Sequence, residues 1–300
     1  MRFIGFSAFP ITPTFADGQL DGAAFRKVLD PILAAEVDSI GLLGSTGAYP
    51  YLSMDVRKEA VVTALDHIDG AVPTVVGVGA IRTDMSVELA QHAADAGASG
   101  LLMAPMSYQV LSEPEVYDHF ASVAEATDLP LCIYNNPGTT QFRFSVDLIR
   151  KLAKIPTITA VKMPLPAREN FASELKRLRD ATPNGFQIGY SGDWGCAMAL
   201  LAGADCWHSA VGGILPSQCR ALADAVVNGD TDRTAAISQA IAPIWDLTKS
   251  HGSYRVSYAI ARGIGIAEVS PILPVKPLSA EIERELKEAV EHLNKVISNG

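Results

Sequence analysis

Eight short apolar runs recur along this chain, each separated from the next by a longer stretch with amphipathic helical spacing. They lie near Gly5–Pro10, Ser39–Leu43, Thr74–Val78, Gly100–Ala104, Leu131–Tyr134, Thr157–Lys162, Phe186–Tyr190 and Cys206–Val211. Each is nearly continuous in apolar residues, as expected of a strand covered on both faces. Between the runs, Phe25, Val28, Leu29, Ile32 and Leu33 follow the i, i+3, i+4, i+7 rule of a helix, which Pro31 is expected to kink. Ser53 and Ser145 stand where helix N-caps belong. A turn from helix to buried strand echoes three times: at Glu36-Val37-Asp38-Ser39, at Ala96-Gly97-Ala98-Ser99 and at Ala202-Gly203-Ala204-Asp205.

Eight β-α units repeating every ~20–35 residues predict an α/β chain, a (β/α)8 TIM barrel over residues 1–225. A doubly wound sheet is the structural alternative, disfavoured because no Gly-x-Gly-x-x-Gly opens the first helix. After about Pro216 the strand signals stop. Residues 226–300 read as a C-terminal helical extension, broken by the proline-rich stretch Pro271–Pro277.

The 300 residues, 48% hydrophobic, suffice for one large core. A net charge of −9 without a charged tail points to no nucleic-acid partner, though a small anionic substrate stays compatible with a locally positive site. Cys132, Cys196, Cys206 and Cys219 form no Cys-x-x-Cys pair, which fits free thiols in a reducing compartment. No apolar run reaches the ~18 residues of a membrane span, and the first ten residues carry no signal-peptide pattern, so a cytoplasmic protein is expected. The six histidines form no His-x-x-x-His pair, and neither a calcium loop nor a phosphate-binding loop is present. Neither a metal nor a nucleotide cofactor is expected.

In a barrel the chemistry sits at the carboxyl ends of the strands. Those ends include Thr12-Pro13, Gly44-Ser45-Thr46-Gly47, Pro105–Tyr108, Tyr134-Asn135-Asn136-Pro137, Lys162, Ser191-Gly192-Asp193 and His208–Gly213. Lys162 sits toward the end of the apolar run Ile158–Pro164. Burial disfavours the ammonium form, and a neutral lysine amine attacks carbonyl carbon. The alternative is a strand-end lysine whose amine reaches water. Gly44 and Gly47 bracket two hydroxyl residues in a turn that can aim successive backbone N–H groups at a carboxylate or phosphate, or that simply uses glycine for its backbone angles. Tyr134 is either a proton shuttle or a core tyrosine with its hydroxyl at the rim. Asp193 reads as the cap of a helix beginning at Trp194.

Taken in order, these pieces resemble the dihydrodipicolinate synthase / N-acetylneuraminate lyase family of class I, Schiff-base-forming lyases. Gly44-Ser45-Thr46-Gly47 resembles the family's Gly-Thr-Thr-Gly turn, Tyr134-Asn135-x-Pro137 its Tyr-Asn-x-Pro segment, and Val161-Lys162 the strand bearing its imine-forming lysine. Pro277-Leu278-Ser279 is similar to a segment shared by many members. The resemblance implies a covalent imine between Lys162 and pyruvate or another 2-oxo acid, with no further cofactor and with aldol-type cleavage or condensation. A dehydratase or aldolase acting on a 2-keto-3-deoxy sugar acid is the neighbouring reading. From another class, a non-catalytic barrel that binds a 2-oxo acid remains open.

By the same resemblance Ser45 and Thr46 hold the substrate carboxylate, and Tyr134 moves protons under orientation by the Thr46 hydroxyl. A second tyrosine reaches the site from a neighbouring subunit in a homotetramer built as a dimer of dimers. Tyr108, in the shifted loop Pro105-Met106-Ser107-Tyr108, is the candidate for that role. Thr139 falls where dihydrodipicolinate synthases carry an arginine for the carboxylate of an aldehyde substrate, so that clamp is missing. Ala48 and Met163 likewise stand where acidic residues are frequent. His208 is placed either at the distal end of the substrate or packed under the C-terminal helices, and Gly192 is placed with Thr139 among the substrate-binding positions.

Overall fold

The computed structural model describes residues 1–167 and 170–299. Eight strands close into a barrel in chain order. They are β1 (Gly5–Ala8), β2 (Ser39–Leu42), β3 (Thr74–Gly77), β4 (Gly100–Met103), β5 (Leu131–Tyr134), β6 (Ile158–Pro164), β7 (Gln187–Ser191) and β8 (Cys206–Ser209). The pairings β1–β2, β3–β4 and onward to β7–β8 are parallel. This is the expected (β/α)8 architecture. Strands β2, β3, β4, β5 and β8 are buried at every residue, which explains their near-continuous apolar sequence.

Twelve α-helices are found among the described residues. They are α1 (Gly22–Ala34), α2 (Met54–Ile68), α3 (Thr83–Asp95), α4 (Glu113–Glu125), α5 (Pro137–Thr140), α6 (Val146–Leu152), α7 (Phe171–Ala181), α8 (Asp193–Leu201), α9 (Pro216–Val227), α10 (Thr231–His251), α11 (Ser253–Gly263) and α12 (Ala280–Ser298). None of the described helices is long and apolar enough to cross a membrane. The Ser53 hydroxyl accepts from the Val56 N–H, and that of Ser145 from the Leu148 N–H, so both act as the N-caps their sequence suggests. Helix α1 continues through Pro31 to Ala34, so the proline does not end it. In the three echoed turns Glu36, Gly97 and Gly203 take φ of 49°, 91° and 92°, the left-handed step that ends a helix before a strand.

The chain gathers into two compact units. The first holds Met1–Gly5 and Pro73–His208, and with them β3 through β7, nearly all of β8, and helices α3 to α8. The second holds Phe6–Val72 and Ser209–Gly300. Within it α10 packs on α9 and α12, and α11 packs on α12. The buried stripe of α12 (Leu286, Ala289, Val290, Leu293) repeats at i, i+3, i+4, i+7. Each large aliphatic side chain so buried contributes about 1.5–3 kcal/mol.

Candidate active site

In the first unit the site is built on the carboxyl halves of β5 to β8. Tyr134, the last residue of β5, pairs in register with Lys162 of β6, and Lys162 pairs with Gly189 of β7. Paired residues on neighbouring strands point to the same side. The Lys162 amine accordingly lies 4.2 Å from the centroid of the Tyr134 ring. Lys162 is only 4% exposed and Tyr134 6%, so the amine does not stretch out into water.

Asn136 Nδ2 donates to the Tyr134 hydroxyl at 3.0 Å, and the Asn135 N–H donates to the Lys162 carbonyl at 3.0 Å. The loop after β5 therefore fixes both the phenol and the backbone of the lysine. Beneath Tyr134 on the same face, Cys132 is fully buried. Burial pushes its thiol up to about 12, and the nearby Lys162 charge offsets only part of that. The thiol stays protonated and is a poor nucleophile.

On the other flank, Gly189 pairs with Cys206 of β8. A Cβ placed on Gly189 would stand 2.4 Å from His208 Nε2, so the imidazole occupies the space a side chain at 189 would take. The Nδ1 side of the ring faces Cys206 Sγ at 3.8 Å. His208 is 4% exposed. Burial first, and the charge of Lys162 second, hold its basicity well below that of an ordinary histidine, so the ring is neutral at pH 7.

The other expected positions are more scattered. The Thr139 hydroxyl turns back onto the Asn136 carbonyl at 3.4 Å, and Thr139 is exposed. Thr140 is buried and makes the same bond at 3.0 Å. Tyr108 is 85% exposed in the loop after β4. Gly192, at φ 101°, is the residue that caps α8, and a Cβ there would crowd Leu165 at 2.9 Å. Asp193 does not cap a helix beginning at Trp194. It is itself the first residue of α8, and its carboxylate accepts from the Trp207 indole N–H at 2.9 Å. An acidic group in a first helical turn suits the helix dipole, and here it also ties α8 to β8.

The second unit carries the glycine-bracketed turn. Leu43 and Ala48 adopt φ of 53° and 57°, and the Ala48 N–H closes on the Ser45 carbonyl at 3.2 Å. Gly47 folds tightly over Leu43, where a Cβ would meet backbone at 3.0 Å. Thr46 is buried and Ser45 half-buried. Arg57, buried on α2, lies 5.4 Å from the centroid of the Tyr49 ring, and burial lowers its pKa to about 10, which still leaves it charged at pH 7. Tyr258 of α11 donates to the Thr12 carbonyl at 3.0 Å, and the Ile272 N–H donates to the Tyr254 hydroxyl at 2.9 Å.

Three contributors were missed by sequence reasoning: Asn136 as partner of the phenol, Gly189 as the gap for the imidazole, and Cys206 beside His208. A glycine inside a buried strand was the available signal for the second, since it marks a close approach by another group. Among the described residues no cluster of three or more His, Cys, Asp or Glu could hold a metal ion.

The family model described as the dihydrodipicolinate synthetase family matches residues 2–293. A 4-hydroxy-tetrahydrodipicolinate synthase of Herminiimonas arsenicoxydans is 35% identical over 275 residues, covering 90% of this chain and 91% of its own. The crystal structure of a dihydrodipicolinate synthase from Agrobacterium tumefaciens is 47% identical with a TM-score of 0.95, covering 97% of this chain and 98% of its own. The Escherichia coli K12 prophage protein YagE, solved in complex with pyruvate, is 28% identical with a TM-score of 0.88, covering 97% and 99%.

Proposed function

The chain belongs to the dihydrodipicolinate synthetase family, and from that premise we propose that Lys162 is the residue through which it works. Members of this family are class I, aldolase-type lyases that act through a covalent lysine imine and need no separate cofactor. The observation that carries the assignment is the Lys162 amine lying 4.2 Å from the Tyr134 ring centroid, buried beside a second polar ring, His208. Pyruvate bound to YagE makes pyruvate, or a longer 2-oxo acid, the first substrate to expect here.

The amine of Lys162 attacks the ketone carbon, and the carbinolamine loses water to give a protonated imine. That imine draws electrons from the neighbouring carbon, which gives up a proton and becomes an enamine. The enamine adds to an aldehyde carbon, or arises in reverse when a carbon–carbon bond breaks. Tyr134, held by Asn136, carries protons to and from the departing water and the aldol oxygen. Backbone N–H groups of Ser45 and Thr46 hold the carboxylate, a role that suits a turn bent by left-handed residues at both ends.

We expect an aldehyde partner that is hydroxylated rather than carboxylated. Thr139 offers no guanidinium, and its own hydroxyl closes a turn. The same feature favours, as a second reading, dehydration or cleavage of a 2-keto-3-deoxy sugar acid. His208 and Gly192 complete the substrate side of the site. A second copy of the chain supplies Tyr108 in a homotetramer, and four buried free cysteines suit a cytoplasmic setting.

Reductive trapping tests the assignment. With pyruvate and borohydride, intact mass should report one covalent adduct per chain, absent in Lys162→Ala. No adduct with pyruvate or any of a panel of 2-oxo acids would instead mark a non-catalytic binding barrel.

A further inference from the structure

Asparagine is among the best helix N-caps, because its side-chain oxygen accepts an N–H of the first turn. Asn136 stands at the N-cap of α5 and makes no such bond. Its amide turns the other way, and Nδ2 donates to the Tyr134 hydroxyl at 3.0 Å. The side chain that would ordinarily cap the helix is given to the phenol.

The backbone holds the turn instead. The Asn136 carbonyl accepts the N–H groups of Thr139 and Thr140 at 3.0 and 3.1 Å. It also accepts their hydroxyls, at 3.4 and 3.0 Å. Thr140 is only 3% exposed, so water does not compete for its bond. Pro137 directly afterwards restricts the Asn136 backbone further. The amide therefore leaves a fixed point in the chain.

An amide nitrogen donates and cannot accept. The phenol oxygen takes that hydrogen on a lone pair, so its own hydrogen points away from Asn136. We propose that Asn136 is a positioning residue, pinned by Thr140, that turns the Tyr134 hydrogen toward the oxygen leaving the Lys162 carbinolamine. This rests on the imine reading above and gives the partner of the phenol a part in it. In that step the carbon–oxygen bond breaks, and the departing hydroxyl takes the phenol proton and leaves as water. The nitrogen lone pair closes the protonated imine, and the amide hydrogen stays on the phenolate oxygen to stabilise its charge.

Timed trapping on the full-length protein tests this, with pyruvate as the probe and borohydride as the quench. Asn136→Leu keeps most of the volume and removes the donor. Its maximal rate of adduct formation should fall about tenfold, the scale of one hydrogen bond, with the half-saturating pyruvate concentration held within about twofold. Thr140→Val, which only loosens the turn, should fall about threefold. The same changes are then made in Tyr134→Phe. With no phenol to orient, each should slow adduct formation by less than about twofold. A loop that merely lost its shape would cost as much in both backgrounds, and that result overturns the proposal while leaving the imine intact. So does a rate in Asn136→Leu within about twofold of the parent. If Asn136→Leu fails to fold, Asn136→Ala decides in the same way, since it keeps every carbonyl bond of the turn. Absence of any adduct in the parent sinks the imine reading and this proposal with it.

Discussion

Tyr134 and His208 flank one amine, yet their environments set them to different work. The phenol has a donor of its own, Asn136, at 3.0 Å, which can stabilise charge that develops on oxygen during proton transfer. Tyr134→Phe should therefore lower turnover by at least ~10²-fold while part of the pyruvate adduct still forms, read by steady-state kinetics beside reductive trapping. Unchanged turnover would remove Tyr134 from the mechanism. His208 is buried, with its folded basicity well below the ordinary value of 6.5. As pH falls below about 6.5 the unfolded chain takes up a proton that the folded chain refuses. Stability is thus full above that value and declines with falling pH until the lower folded value is passed. Between pH 7 and 5.5 the parent should lose about 1 kcal/mol more than His208→Gln in urea unfolding, since a full proton is worth about 1.4 kcal/mol per pH unit. His119 shifts in the same direction but is present in both proteins, so the comparison cancels it. An equal loss in the two would mean that position 208 is not where the proton is refused.

At the scale of elements the sequence was legible wherever a local pattern decides. Eight buried strands could be counted because each is covered on both faces, and Ser53 and Ser145 were readable as caps because a cap is a contact over three residues. The placement of Tyr134 at the end of one strand was readable, and that of Lys162 in the carboxyl half of another was too, although β6 runs on through Met163 to Pro164. That they face each other was not, because it depends on the register between β5 and β6, which no local pattern encodes. Asp193 shows the same limit: its spacing suggested a cap, but its partner is an indole from the next strand. Gly189 is a gap defined only by the ring that fills it. The echoed turns offer a test at this scale. Glu36 takes the left-handed conformation that Gly97 and Gly203 take in the equivalent turns. A side chain with a Cβ is strained there, by roughly 1–2 kcal/mol. Glu36→Gly should relieve that strain, less the extra entropy of a glycine in the unfolded chain, for a net gain of about 0.5–1 kcal/mol by chemical denaturation. A loss would show that the Glu36 side chain makes contacts worth more than the strain.

The whole molecule poses a different problem, because one assigned residue cannot be understood within one chain. Tyr108 is 85% exposed, as are, to lesser extents, Val110 in the same loop and Ile81 in the loop after β3. A phenol in open water keeps no fixed direction, and a proton carrier must be fixed to within a few tenths of an ångström of its reacting atom. If Tyr108 works in catalysis, a second copy of the chain must cover it. Complementation reads this directly. Lys162→Ala and Tyr108→Phe chains, each nearly inactive alone, are co-expressed in equal amounts and all the oligomers purified together. In a two-fold pair where each site takes its tyrosine from its partner, a mixed pair has one intact site of two, and half of randomly formed pairs are mixed. Specific activity should then return to about a quarter of the parent value. If mass analysis confirms mixed pairs and no activity returns, Tyr108 serves its own chain or none. If Tyr108→Phe alone retains full turnover, the phenol plays no part and the exposed loop is only a surface.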